Sequence, residues 1–164
     1  MSVCGFGLAA AGAGAAHAIA QHRPKRVLLV GLAGSYDVTR MPIGAAMVAS
    51  AVRCHGIGAG GQSAAELGWT ASDQIELDGK DGLVLSVAEA SATPGQAAER
   101  HRKHPQALIE EMEGYAVAVA ATLFQVPLTV LRGVSNAAGD RDQARWQARP
   151  AMAAARSVLA MLAR

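Results

Sequence analysis

The sequence predicts a single α/β domain over residues 1–164, with a mixed central sheet flanked by helices. Three observations point there. Short apolar runs rich in Val and Leu alternate with Ala-rich segments of helical length, the pattern of strands separated by helices. A chain of 164 residues can bury one sizeable core and has little room for two. Hydrophobic residues make up 51% of the chain and aromatics only 4%, so the core is built from Ala, Val, Leu, Ile and Met. Small side chains of this kind let helices lie close on a sheet.

Residues 2–4 read as the end of a strand, Gly5 and Gly7 as a turn, and residues 9–21 as a helix that Pro24 closes. Residues 26–30 (RVLLV) form an apolar run of strand length. Residues 47–53 form a second, followed by the glycine-rich CHGIGAGG, and residues 82–87 (GLVLSV) a third. Residues 94–103 favour a short helix and 108–111 a strand. An Ala/Val helix over 114–124, a strand over 127–134 and a closing helix over 150–162 complete the chain. In such sheets a ligand sits beyond the carboxyl ends of the strands. Function is therefore expected in the segments just beyond Val30, Val87 and Val134.

Several classes are disfavoured. A net charge of +2 with scattered Lys and Arg gives no footprint for nucleic acid. Cys4 and Cys54 make neither a CxxC pair nor a disulfide framework, which suits a cytoplasmic, reducing setting. The apolar stretch over residues 8–20 lacks a basic leader, and His17, Gln21, His22 and Arg23 break it before a membrane span is complete. The run Gly5-Phe6-Gly7 has its third glycine at the wrong spacing for a dinucleotide fingerprint, with no acidic residue about twenty positions on. The glycines at 56–61 lack the Lys-Ser/Thr of a phosphate loop, so both glycine runs read as turns and close packing. His101 and His104 could share a helix face, but no third ligand is suggested, so they read as a solvated surface. No metal and no cofactor is expected.

The second half carries more chemistry. Glu110, Glu111 and Glu113 sit at the start of an apparent helix, where the dipole and free amides stabilise a carboxylate in its ionised form. Such a carboxylate is the right acceptor for two adjacent sugar hydroxyls. The same acids would equally serve only to favour the helix start. In PLTVLRGVSN, Arg132 lies inside an apolar strand. A buried charge needs a partner, and Glu113 or Glu111 is the natural one. Asn136, at the strand's carboxyl end, could meet a ligand or simply form a turn.

These residues resemble a known family. EMEGYAVAVAA, then VPLTVLRGVSN, then GDRD with Trp146, is similar to the C-terminal half of nucleoside phosphorylases and nucleosidases. RVLLVGLAGSYD resembles the family's central strand and the glycine-rich turn after it. ELGW (residues 66–69) and SNAAGDRD (residues 135–142) look most like futalosine hydrolases. The resemblance runs from about Val3 to the C-terminus.

It implies cleavage of the N-ribosidic bond of a purine nucleoside, futalosine going to hypoxanthine and dehypoxanthine futalosine in menaquinone biosynthesis, by a homo-oligomer. In that reading Met112 and Glu113 hold the ribose, and Glu113 accepts the 2′ and 3′ hydroxyl hydrogens. Arg132 helps position the attacking water and the acid beside it. Asn136 contacts the purine at N7 and its 6-substituent, and Glu111, Gly5, Ala33, Gly34 and Ser86 join Met112 as substrate-binding positions. Relatives that cleave adenine nucleosides have Asp where Asn136 stands. An amide cannot surrender a full proton, so Asn136 implies a 6-oxopurine, which is the better leaving group. The family also has an acidic residue near the water, on a segment that would precede Val3, and Glu89, Asp37 and Asp140 are conceivable substitutes. Leu32 stands where some nucleosidases have a serine, and Ala90 where an aromatic often stacks on the purine. That leaves stacking to Phe6, Tyr36, Trp69 or a neighbouring subunit. Two other readings stay open. One is a nucleoside-binding protein without turnover; the other is a phosphorylase with Arg40 and Arg53 as phosphate donors.

Overall fold

Helix α1 (Gly7–His22) opens the regular structure of the protein, a computed structural model that describes residues 1–70 and 72–162. Residues 2–4, expected as a strand, are not one. They run back along α1, where Gly14 leaves room for the Cys4 carbonyl; a Cβ there would stand 2.0 Å from its oxygen. Helix α1 ends at Arg23, which takes the left-handed conformation with φ 45° just before Pro24.

Strand β1 (Val27–Ser35) is followed by β2 (Ala46–Cys54), a small hairpin β3 (Gly58–Ala59) and β4 (Gln62–Ser63), then β5 (Gln74–Glu76) and β6 (Gly82–Ser86). Helix α2 (Pro94–Lys103) leads into β7 (Ala107–Glu111), α3 (Gly114–Leu123) and β8 (Leu128–Ala137). A 3-10 turn (Gln143–Arg145) and α4 (Ala148–Leu162) finish the chain. Thr93 caps α2 by accepting a hydrogen bond from the Gln96 amide, with Pro94 in the first turn. Strands β1 and β8 both outrun their apolar cores. They pair in parallel from Val27 and Leu128 to Ser35 and Ala137, so the expected glycine-rich turn after Val30 is strand instead.

The sheet order is β5-β2-β6-β7-β1-β8, and β8 pairs again with the start of β2, closing the sheet on itself. Strands β1 and β8, β2 and β6, and β6 and β7 run parallel; β7 crosses the end of β1 antiparallel. That crossing holds only two residue pairs, Gly34 with Glu110 and Ser35 with Ile109. The carboxyl ends of β1, β6, β7 and β8 thus meet in one place. Helices α1 and α3 pack on one another, and α4 lies on β8. The core between these layers is small-residue and aliphatic, as expected. Ala11, Ala15 and Ile19 of α1 meet Val117, Ala118, Ala120 and Ala121 of α3 over Leu29, Val84, Ile109 and Val130. Among the described residues no helix is long and apolar enough to cross a membrane.

Candidate active site

The site begins with a buried ion pair. Arg132, in the middle of β8, is only 2% exposed, and its Nη2 donates to Oε2 of Glu111 at the end of β7. The same Nη2 lies 3.5 Å from Oε2 of Glu113. Both partners expected for this arginine are therefore present. The guanidinium crosses β1 at Gly31, where a Cβ would stand 2.0 Å from Nη1. No side chain larger than hydrogen fits there while the pair holds.

Glu110 and Glu111 belong to β7, and only Glu113 stands at the start of α3. The Glu111 carboxylate nonetheless reaches forward and accepts the amides of Glu113 (3.0 Å) and Gly114 (2.8 Å). It thereby satisfies orphan donors of the helix N-terminus. Ser86 Oγ donates to Glu111 and accepts from the Tyr115 amide at 2.8 Å. Ser86 is fully buried and Glu111 5% exposed. Both are candidate substrate-binding positions, and in this structure their polar atoms hold Arg132 and α3.

Glu113 is different. Its side chain is only partly buried, and it carries few bonds. Oε1 accepts from the Gly7 amide at 3.1 Å, the first residue of α1, and Oε2 faces Arg132. The N-terminus of α1 and one guanidinium thus flank this carboxylate. Gly5, expected in the site, is exposed in the turn before α1, and it is the amide of Gly7 that reaches inward.

Across the sheet, Asn136 pairs in register with Gly34. Its Oδ1 accepts from Ser135 Oγ at 2.7 Å, and its Nδ2 donates to the carbonyls of Ala137 (2.9 Å) and Asp140 (3.2 Å). Asn136 therefore shapes the turn after β8 while sitting at the edge of the site. Ser135 Oγ also donates to the Ala33 carbonyl at 3.3 Å. Met112 packs with Tyr36 against Ala51, Leu83, Leu85 and Val87.

The other candidates divide clearly. Asp37 is engaged by Thr39, and Asp140 pairs with Arg145 at 2.8 Å. Glu89 is exposed. Arg53 lies 3.8 Å from Asp73, and Arg40 is exposed. Phe6 and Trp69 are 79% and 51% exposed. His101 and His104 do not form a solvated face. His101 stacks on Tyr36 with centroids 5.0 Å apart, and His104 Nε2 lies 2.9 Å from His55 Nδ1. Burial, then the neighbouring His55 and Arg53, lowers the His104 pKa to about 4. Among the described residues no group of three or more His, Cys, Asp or Glu is placed to hold a metal.

Sequence reasoning missed one polar cluster altogether. Glu110 accepts from Tyr36, Ser91 and Arg100. Burial, reinforced by the Glu110 charge, raises the Tyr36 pKa above its ordinary value. No sequence spacing links these four residues; only the crossing of β7 over β1 brings them together.

This arrangement has relatives. Residues 1–164 match the model of the phosphorylase superfamily. The chain belongs to that superfamily. A futalosine hydrolase of Streptomyces coelicolor is 33% identical over 97% of this chain and 79% of its own length. A 5′-methylthioadenosine/S-adenosylhomocysteine nucleosidase of Maridesulfovibrio salexigens is 28% identical over 82% of this chain and 66% of its own. In three dimensions, the futalosine hydrolase of Helicobacter pylori superposes with a TM-score of 0.80 at 19% identity, covering 97% of this chain and 76% of that one. That last likeness establishes the superfamily's α/β fold for this chain.

Proposed function

We propose that this superfamily member hydrolyses the N-ribosidic bond of futalosine, releasing hypoxanthine and dehypoxanthine futalosine. The observation that carries the reading is Glu113, a carboxylate at the strand ends fixed by the Gly7 amide and faced by Arg132. The ribose hydroxyls would donate to Glu113, with Met112 beneath the sugar. As the C1′–N9 bond lengthens, positive charge grows on the sugar and negative charge on the base. Glu113 stabilises the first, and a pre-set polar group near the base stabilises the second. Water supplies the hydroxyl that ends on C1′, and its proton ends on hypoxanthine.

Asn136 favours a 6-oxopurine over an adenine. Its amide carries no transferable proton, and adenine needs more acid assistance to leave than hypoxanthine does. A phosphorylase reading draws no support from Arg40, which is exposed, or from Arg53, which faces Asp73. The S. coelicolor relative, a futalosine hydrolase, supports the same substrate. We propose a homo-oligomer as the working form, with a neighbouring subunit as one source of the contact that stacks on the purine. Product analysis tests the reaction. Incubation with futalosine in phosphate-free buffer should give hypoxanthine and a sugar with a free C1′ hydroxyl. A C1′ phosphate ester formed only when phosphate is added would make the chain a phosphorylase, and no product at all would leave it a binding protein.

A further inference from the structure

Two adjacent acids of β7 point to opposite faces of the strand, as successive residues do, and they anchor different things. Glu111 serves Arg132 and α3. Glu110 serves the other side, and nothing in the proposed chemistry uses it. Its carboxylate is 5% exposed and accepts four hydrogen bonds. Oε1 takes the Ser91 amide at 2.8 Å. Oε2 takes Ser91 Oγ at 2.8 Å, the Tyr36 hydroxyl at 2.9 Å and Arg100 Nη1 at 2.9 Å. Arg100 Nη1 also donates to Ser91 Oγ at 2.9 Å, closing the cluster.

The donors come from three segments. Tyr36 follows β1 and stands two residues beyond Gly34; Ser91 lies in the loop between β6 and α2; Arg100 is on α2. Glu110 itself pairs with Gly34 across the strands. The cluster therefore ties the loop over residues 87–93 to the end of β1 at the level of Gly34, whose other edge pairs with Asn136. Burying a charged carboxylate and guanidinium here gains little stability over an apolar cluster of the same size. What the charges add is direction: Glu110 fixes one backbone amide and three side-chain donors at once.

We infer that Glu110 is a positioning residue for the purine. Through Glu110, the loop that carries Ser91 is held beside the end of β1, so that this loop and Gly34 form walls of the base pocket. This rests on the nucleoside reading, in which the sugar lies at Glu113 and the base beside Asn136.

The test separates base from sugar. Glu110→Gln keeps the shape and removes the charge. Its KM for futalosine and its Kd for free hypoxanthine should each rise about tenfold, the scale of a lost charge-assisted bond. Its kcat should stay within about threefold, and its affinity for a hydroxylated pyrrolidine mimic of ribose without a base should be unchanged. Equal weakening of both ligands, or unchanged hypoxanthine binding in a protein of lowered Tm, would overturn the inference. Should Glu110→Gln not fold, Tyr36→Phe and Ser91→Ala each remove a single donor and leave the ion pair. They should show the same split at about threefold, and no split would count against the idea as decisively. Hypoxanthine binding by calorimetry needs no turnover. A wild-type chain that binds hypoxanthine but leaves futalosine intact would therefore refute the hydrolase reading while this test still gives its answer.

Discussion

Replacing Glu111 by Gln would remove the nearer of two negative charges facing Arg132, a side chain 2% exposed. Breaking a buried ion pair from one side leaves the other charge uncompensated and costs about 3–5 kcal/mol. Glu113 stays 3.5 Å from the guanidinium and retains part of the compensation, so the lower end, about 3 kcal/mol, applies. For a domain of this size that corresponds to a fall in Tm of about 6–12 °C. The assay is thermal unfolding followed by circular dichroism at fixed protein concentration, so that any assembly contributes equally. The double variant Glu111→Gln with Arg132→Met removes both charges and keeps an acceptor for the amides of α3. It should regain most of the lost stability while remaining inactive, because it no longer orients Glu113. A Glu111→Gln protein melting within about 1 °C of wild type would refute the claim that this pair anchors the site.

The same geometry sets three further outcomes. Gly31→Ala should destabilise by about 1–3 kcal/mol in urea unfolding and lower activity with it, because its Cβ would stand 2.0 Å from Arg132 Nη1. Stability should fall as the pH drops from about 6.5 to about 4, read as Tm against pH. The folded pKa of His104 is lowered to about 4, so the unfolded chain takes up the proton first. His104→Gln should flatten that slope. Asn136→Asp should raise the ratio of kcat/KM for an adenine nucleoside over futalosine by at least about tenfold, since a carboxyl can pass a proton to N7.

Much of the fold was legible because the longer elements carry periodicity and punctuation. Helix α2 begins and ends where Thr93, Pro94 and the basic run to Lys103 indicate. That Arg132 pairs with Glu113 or Glu111 was legible too, since a charge inside an apolar strand demands a counter-charge; that both face it was not. Strands of two or three residues, such as β3, β4 and β5, are too short to show a period and went unread. The extension of β1 to Ser35 was hidden by Gly31 and Gly34, which read as turn residues. They are extended here because β8 runs beside them and because Arg132 needs the space at Gly31. The roles of Glu111 and Glu113 could not be separated by sequence, because the division depends on which carboxylate meets buried amides. Likewise the pairing of His55 with His104, and the gathering of Tyr36, Ser91 and Arg100 on Glu110, are contacts between distant segments.

Glu113 as the carboxylate that stabilises the ribosyl cation is tested most directly by hypoxanthine release from futalosine in phosphate-free buffer, measured side by side for the wild type and Glu113→Gln. Release is expected from the wild type, with a kcat about a hundredfold or more lower in the variant, the scale of a lost transition-state charge contact. Release at an undiminished rate by Glu113→Gln would contradict that role.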